Sequence, residues 1–266
     1  MQRKRPIGVF DSGIGGLSVV KELRRLLPGE DIVYFGDTAR LPYGTKSKET
    51  VVRFSCEIVR FLMRFRIKLG VVACHTASSF SLPTLRRHFP IPIVGVVQPG
   101  AQQALTATRT GRIGVLGTRA TVQSRSYEKE IKRLRPRARV LSQSCPLFVP
   151  LVEEGHFNGI ITHRIAETYL ASLKRFKPDT VILGCTHYPL LKPVIGSVLG
   201  PQVRLIDSAQ AVAGQVHDLL EARDLAANGA LGWTRYFVSD EPHHFTQVGS
   251  LFLKDRIRSV HKVSHV

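Results

Sequence analysis

Short apolar runs alternate with amphipathic stretches along most of this chain, and the series starts again near its middle. Ile7–Phe10 reads as a strand. Residues Gly16–Leu27 follow, with Leu17, Val20, Leu23 and Leu27 at helical spacing before Pro28 stops them. Ile32–Phe35 reads as a second strand. Thr50–Ile67 is predicted helical, with Val51, Phe54, Ile58, Phe61, Leu62 and Phe65 on one face. Leu69–Ala73 is predicted as a strand running into Cys74, Ser78–His88 as a helix and Ile91–Val94 as a strand.

The second series predicts a strand at Arg112–Leu116, a helix at Thr121–Leu134, a strand at Ala138–Leu141 and a helix at Thr162–Phe176. It continues with a strand at Thr180–Leu183, just before Gly184 and Cys185, and another at Val203–Ile206. The tail suggests a strand at Thr234–Ser239 and a helix at His243–Leu253. Strands alternating with helices imply βαβ units and parallel sheets covered on both faces.

The two series also resemble each other. Ile7-Gly8-Val9-Phe10 matches Ile113-Gly114-Val115-Leu116, 106 residues on. Val71-Val72-Ala73-Cys74-His75-Thr76 resembles Ile182-Leu183-Gly184-Cys185-Thr186-His187, 111 residues on. The expected fold class is α/β, with two similar, pseudo-symmetric domains built on mainly parallel sheets. The first domain is expected over 1–97 plus 207–266, and the second over 98–206. Each would set a cysteine at the C-terminal end of a strand, where open α/β sheets bind ligands. The active site is expected in the cleft between the domains.

Composition narrows the classes. No run approaches the ~18 apolar residues of a membrane span, so no membrane partner is expected. The apolar run after Arg3, Lys4 and Arg5 breaks at Asp11, too early for a signal peptide, and a cytoplasmic location is expected. Cys56, Cys74, Cys145 and Cys185 form no CxxC pair and no metal-type spacing. They are expected as free thiols, which are usually inert packing residues. That description fits Cys56, inside an amphipathic helix, and Cys145, before Pro146.

The net charge of +18 gives non-specific affinity for anions and nucleic acid. Residues 125–139 hold seven basic side chains against two acidic ones, and Arg60, Arg64, Arg66 and Lys68 form a second cluster. Without aromatic interleaving or a nucleic-acid motif, these read as solvated basic faces.

Two cysteines in a repeat frame suggest a particular chemistry. Inverting the α-carbon of an amino acid needs a base on one face and an acid on the other, exchanging roles with direction. A thiolate and a thiol suit this, because a free thiol titrates near 8.5 and both forms coexist near neutrality. Thr76, Ser78 and Thr186, close after the cysteines, suit a substrate carboxylate. Two strand-end packing cysteines are the plainer reading. Gly13, Gly15 and Gly16 look like a phosphate loop, but no Lys completes GxxxxGK[ST], so a nucleotide is not expected.

Longer motifs carry a resemblance. Ile7-Gly8-Val9-Phe10-Asp11-Ser12-Gly13-Ile14-Gly15-Gly16-Leu17 is followed by Tyr34-Phe35-Gly36-Asp37-Thr38-Ala39-Arg40-Leu41-Pro42-Tyr43-Gly44. Then come Ala73-Cys74, Thr76-Ala77-Ser78, Gly114-Val115-Leu116-Gly117-Thr118 and Leu183-Gly184-Cys185-Thr186-His187-Tyr188-Pro189-Leu190. In this order the chain resembles the bacterial glutamate racemases over nearly its full length.

The resemblance implies racemisation of L-glutamate to D-glutamate for the peptidoglycan stem, with no cofactor: no metal, pyridoxal phosphate or nucleotide. It implies Cys74 and Cys185 as the two acid/bases, with Asp11 assisting Cys74 and Ser12 in the substrate site. Tyr43 and Gly44 would bind the substrate's carboxylate end, and Thr76 and Thr186 its polar groups. His187 would support Cys185, with Glu153 or its neighbour Glu154 behind it. A homodimer is the oligomer the resemblance allows. Taken alone, Asp11 also reads as a turn or N-cap residue, Tyr43 as a turn residue and His187 as a core histidine.

One position departs from the pattern. The family usually has Asn after the first cysteine, and this chain has His75. A histidine is larger and titrates near neutral pH, yet can still donate one hydrogen bond to the substrate. It keeps alive a related racemase acting on aspartate or another acidic amino acid. A basic protein binding nucleic acid or another partner, with secondary or lost catalysis, is the alternative from another class.

Overall fold

The run Ile7-Gly8-Val9-Phe10-Asp11 is buried at every position, and it forms β1 (Ile7–Asp11) at the interior of a parallel sheet. The computed structural model describes residues 2–227 and 229–264. Contacts divide the chain into two units, Met1–Val96 with Ala209–Val266, and Val97–Ser208.

In the first unit, α1 (Leu17–Leu26) buries Leu17, Val19, Val20 and Leu23. β2 (Ile32–Gly36) pairs with one edge of β1, and β3 (Leu69–Val72) with the other. Between them α2 (Lys48–Met63) is capped by Ser47, whose side chain accepts from Thr50 N–H. Cys56 packs in the core on this helix. After β3 come α3 (His75–His88) and β4 (Ile93–Gly95).

The second unit opens with α4 (Val97–Ala107), β5 (Arg112–Gly117), α5 (Arg119–Ser124) and α6 (Ser126–Leu134). It continues through β6 (Arg139–Ser144), α7 (Phe148–Glu153), α8 (Ile160–Phe176), β7 (Thr180–Gly184), α9 (Lys192–Leu199) and β8 (Arg204–Ile206).

The chain then returns to the first unit through α10 (Ser208–Ala222), β9 (Thr234–Val238), α11 (Pro242–Leu253) and β10 (Val260–Lys262). β9 adds beside β2. A buried Lys68–Glu30 ion pair of 2.6 Å fastens this return: Lys68 Nζ also donates to the Leu225 carbonyl, and Ala227 N–H donates to Glu30.

The first sheet has the order β10-β9-β2-β1-β3-β4, and the second β6-β5-β7-β8, every pair parallel. Strands β2-β1-β3-β4 of the first sheet and the four of the second thus run second-first-third-fourth. In each, the chain leaves the first strand to one side and returns on the other, so the gap between first and third strands is the switch point where open α/β sheets bind ligands.

Several elements differ from the sequence expectation for local reasons. α3 begins at His75 rather than Ser78, because Cys74 is its N-cap and Ser78 instead turns inward to accept from Val96 N–H. α2 stops at Met63, before the expected Ile67; Arg66 takes a left-handed conformation while Ile67 stays in the core, so the apolar period outlasts the helix. The expected single helix Thr121–Leu134 is two, α5 and α6, broken at Arg125 with φ 54°.

Candidate active site

In the first unit the switch point lies between the ends of β1 and β3. Ala73 N–H donates to the Phe10 carbonyl at 2.9 Å, continuing the ladder one step past β3. Asp11, closing β1, and Cys74, just past β3, therefore sit on adjacent strand ends, which lie roughly 4.8 Å apart in a sheet. The chain after Asp11 turns tightly: Gly13 N–H donates to Asp11 Oδ2 at 3.1 Å, and Tyr34 donates its hydroxyl to the Gly13 carbonyl at 2.7 Å. Gly16 completes the turn at a place where a side chain does not fit. A Cβ there would stand 2.5 Å from Asp11 Cβ and 2.8 Å from the Tyr34 hydroxyl.

Cys74 is buried, and its sulfur lies at the start of a 14-residue helix. Ala77 N–H donates to Sγ at 3.5 Å, and Sγ donates to Ser12 Oγ at 3.7 Å. The positive end of a helix favours an anionic sulfur. His75 and Thr76 are the first two residues of α3, both buried. Five of the expected residues, Asp11, Ser12, Cys74, His75 and Thr76, thus gather at one end of one sheet.

Tyr43 and Gly44 open a short 3-10 turn, Tyr43–Thr45, packed on α3. The Tyr43 hydroxyl is committed inward, donating to Asp37 Oδ2. Asp37 is fully buried and also accepts from Arg40 Nε at 2.7 Å and Ser239 Oγ at 2.9 Å. Arg40 pairs in turn with Glu57 and lies 4.0 Å over the Phe54 ring. Burial, reinforced by the Asp37 charge and hydrogen bond, pushes the Tyr43 phenol far above the usual tyrosine range. Tyr43 therefore braces the turn through its hydroxyl, and the backbone is what the turn leaves for a ligand. The supporting residues Asp37, Arg40, Glu57 and Ser239 were missed. Asp37 and Arg40 stood inside a recognised motif, whereas Ser239 arrives from the far end of the chain and leaves no local signal.

In the second unit, Gly117 closes β5 and Thr118 caps α5, its Oγ1 accepting from Thr121 N–H at 3.2 Å. Thr118 holds the place that Ser12 holds in the first unit, just past the first strand; only its Gly-Thr motif hinted at this. Cys185 follows Gly184, the last residue of β7, where a Cβ would stand 2.5 Å from the Leu116 carbonyl oxygen.

The surroundings of Cys185 differ from those of Cys74. His187 Nδ1 lies 3.8 Å from Cys185 Sγ, and His187 Nε2 is hydrogen-bonded to Glu153 on α7. Glu154, the other candidate, is exposed. Burial works against a charged His187 ring, but the hydrogen bonds and charges of Cys185 and Glu153 prevail and raise it well above the ordinary histidine value. Thr186 Oγ1 lies 3.5 Å from the same Nδ1.

Tyr188 donates its hydroxyl to the Cys145 carbonyl at 2.9 Å and meets Phe148 edge-on at 5.3 Å. Cys145 is a buried packing thiol, pushed far up by burial. Cys185, Thr186, His187 and Glu153 form the second cluster.

Among the described residues, no group of three or more His, Cys, Asp or Glu side chains could hold a metal ion. No helix among them is long and apolar enough to cross a membrane.

Residues 7–216 match the family described as Asp/Glu/Hydantoin racemase. The glutamate racemase of Geobacter metallireducens is 51% identical, across 98% of this chain and 97% of that protein. Among solved structures, glutamate racemase isoform RacE1 from Bacillus anthracis superposes with a TM-score of 0.95 at 39% identity, covering 98% of both chains. Glutamate racemase from Francisella tularensis, in complex with D-glutamate, gives 0.92 at 37% identity over 98% of both chains.

Proposed function

Because the chain belongs to the Asp/Glu/Hydantoin racemase family, we propose that it interconverts L- and D-glutamate by two-base proton transfer, with Cys74 and Cys185 as the bases. One observation carries the reading: both units contain the strand order second-first-third-fourth, and both set a buried cysteine within two residues of the end of the third strand, at the switch point. The relatives named glutamate racemase favour glutamate over aspartate as substrate.

In one direction the Cys74 thiolate takes the α-proton from one face of glutamate, and the Cys185 thiol delivers a proton to the opposite face. The return reaction exchanges the roles. Each turnover leaves one sulfur newly protonated and the other deprotonated, so charge and protons balance. Asp11 assists at Cys74, and the Glu153–His187 pair at Cys185. Ser12, Thr76, Thr186 and the His75 ring hold the polar groups of glutamate, and the backbone of Tyr43 and Gly44 binds its carboxylate end. Positioned acid/base groups of this kind contribute roughly 10²–10⁴ in rate. The net charge of +18 draws an anionic substrate.

In the same proposal the two units act as two domains of a cytoplasmic enzyme whose product supplies peptidoglycan synthesis. The oligomer is a homodimer, and affinity for nucleic acid is limited to the non-specific pull of the basic surface.

The test is proton NMR of L-glutamate, D-glutamate and L-aspartate incubated with the protein in deuterium oxide. Loss of the glutamate α-proton signal with optical inversion supports the proposal. Exchange of aspartate alone moves the substrate to aspartate, and no exchange with any of the three, in folded protein with reduced thiols, overturns the racemase reading.

A further inference from the structure

Some basic side chains of this fold have an acidic partner. Arg25 pairs with Glu22, Arg40 with Asp37 and Glu57, Arg125 with Glu128, Arg133 with Glu130 and Lys262 with Asp240. One group does not. In the first unit a cavity of about 520 Å³ opens between α1, the start of β9 and the segment after α11. Its charged lining is Lys21, Arg24, Arg256 and Arg258 against Asp255 alone. None of the four cations forms an ion pair among the described residues.

Arg24 is the fixed point of this group. Its Nε donates to Thr234 Oγ1 at 2.6 Å, and its Nη1 donates to the carbonyls of Glu30 at 3.0 Å and Gly232 at 2.9 Å. All these acceptors are neutral. They orient the guanidinium without neutralising it; burial pulls Arg24 below the ordinary arginine value and outweighs the opposing influence of Tyr236 and Asp31. A half-buried charge whose direct hydrogen-bond partners are all neutral is stabilised when an anion joins it. Asp255, the one acid in the lining, accepts the Arg256 backbone N–H through its Oδ1.

Shape and lining define the ligand further. The volume lies in the range of small-molecule sites, roughly 300–1,000 Å³, and suits a small molecule better than a polymer. Leu231, 86% exposed at the rim, and Tyr236 provide apolar surface beside the charges. Guanidinium forks match the several oxygens of a phosphate better than a lone carboxylate. A phosphate group carries about −1.5 to −2 near neutrality, which is nearer than the single net charge of glutamate to the excess of three positive charges in the lining.

We propose that this cavity is a second ligand site, distinct from the cysteine clusters, for a small phosphate-bearing anion.

The experiment is isothermal titration of the full chain with inorganic pyrophosphate at low salt. Arg256 and Arg258 are exposed and stand outside the proposed catalytic machinery, so the double variant Arg256→Gln/Arg258→Gln should fold and keep its basal racemase activity. Expected are one-to-one binding to the wild type and a loss of affinity of at least ~tenfold in that variant, the scale of lost hydrogen bonds to a charged group. A control, Arg133→Gln/Arg137→Gln on the distant basic stretch, should bind as wild type. Three results each overturn the site: no binding to wild type, unchanged affinity in the Arg256/Arg258 variant, or an equal loss in the control, which would mean general adsorption of anions on a basic surface.

Discussion

Replacing Glu153 by Gln tests how the second thiol is served. The side chains of His187 and Glu153 are 4% and 13% exposed, so water screens their interaction little. Gln keeps the shape and an acceptor oxygen but removes the charge. A hydrogen bond to a charged group is worth ~1.5–3 kcal/mol, or about 10- to 150-fold when that interaction acts in the transition state. Glu153→Gln should lower kcat/KM for glutamate within that range at neutral pH. It should also release the His187 proton at lower pH, because one of the two partners that raise the ring has lost its charge. The alkaline limb of the pH–rate profile should therefore move down.

Stability should follow the same pair. In the folded chain His187 titrates above its unfolded value of about 6.5, so its pairing stabilises the fold fully below that pH and the contribution fades as pH rises through the raised value. The assays are circular dichroism of the racemisation across pH and urea midpoints at several pH values. A variant with wild-type kcat/KM and an unshifted profile would refute the reasoning, as would an equal loss in exposed Glu154→Gln.

Tyr43→Phe removes one hydrogen bond from the buried Asp37 carboxylate. It should cost ~1.5–3 kcal/mol in urea unfolding and raise KM for glutamate more than it lowers kcat, since the turn positions substrate; an unchanged midpoint would contradict this. Asp179 accepts from Thr108 Oγ1 and from the N–H groups of Arg109 and Thr110. Partial burial opposes these bonds, but they hold its carboxyl down at about 2. That contribution is present above the unfolded value of ~3.9 and is lost as pH falls towards about 2, so Asp179→Asn should narrow the difference between urea midpoints at pH 6 and pH 2.5.

The architecture was legible because a buried parallel strand writes itself as an unbroken apolar run. β1, β3, β5 and β7 and the cysteines after the third strands were visible for that reason. Helices were harder where breakers or odd caps sat inside them. α4 went unread because Pro99 and Gly100 fall in its first turns, and the glycine is there because a Cβ would run into Ser208 Oγ. The start of α3 was misplaced because a cysteine is an unusual N-cap. In the site, residues adjacent in sequence to the cysteines were readable, and Glu153 required a motif resemblance. The Asp37 network was not readable, since Ser239 lies about two hundred residues from its partner and only the folded sheet, with β9 beside β2, brings them together.

Exchange of the α-proton by the single variants Cys74→Ser and Cys185→Ser, followed by NMR in deuterium oxide with each glutamate enantiomer, tests the two-base claim most directly. If the two thiols serve opposite faces, each variant loses inversion by at least ~10², and each still exchanges only the enantiomer whose α-proton meets the remaining cysteine, the two variants showing opposite preferences. Inversion at the wild-type rate in either variant, or the same enantiomer preference in both, would contradict a mechanism that needs Cys74 and Cys185 as partners.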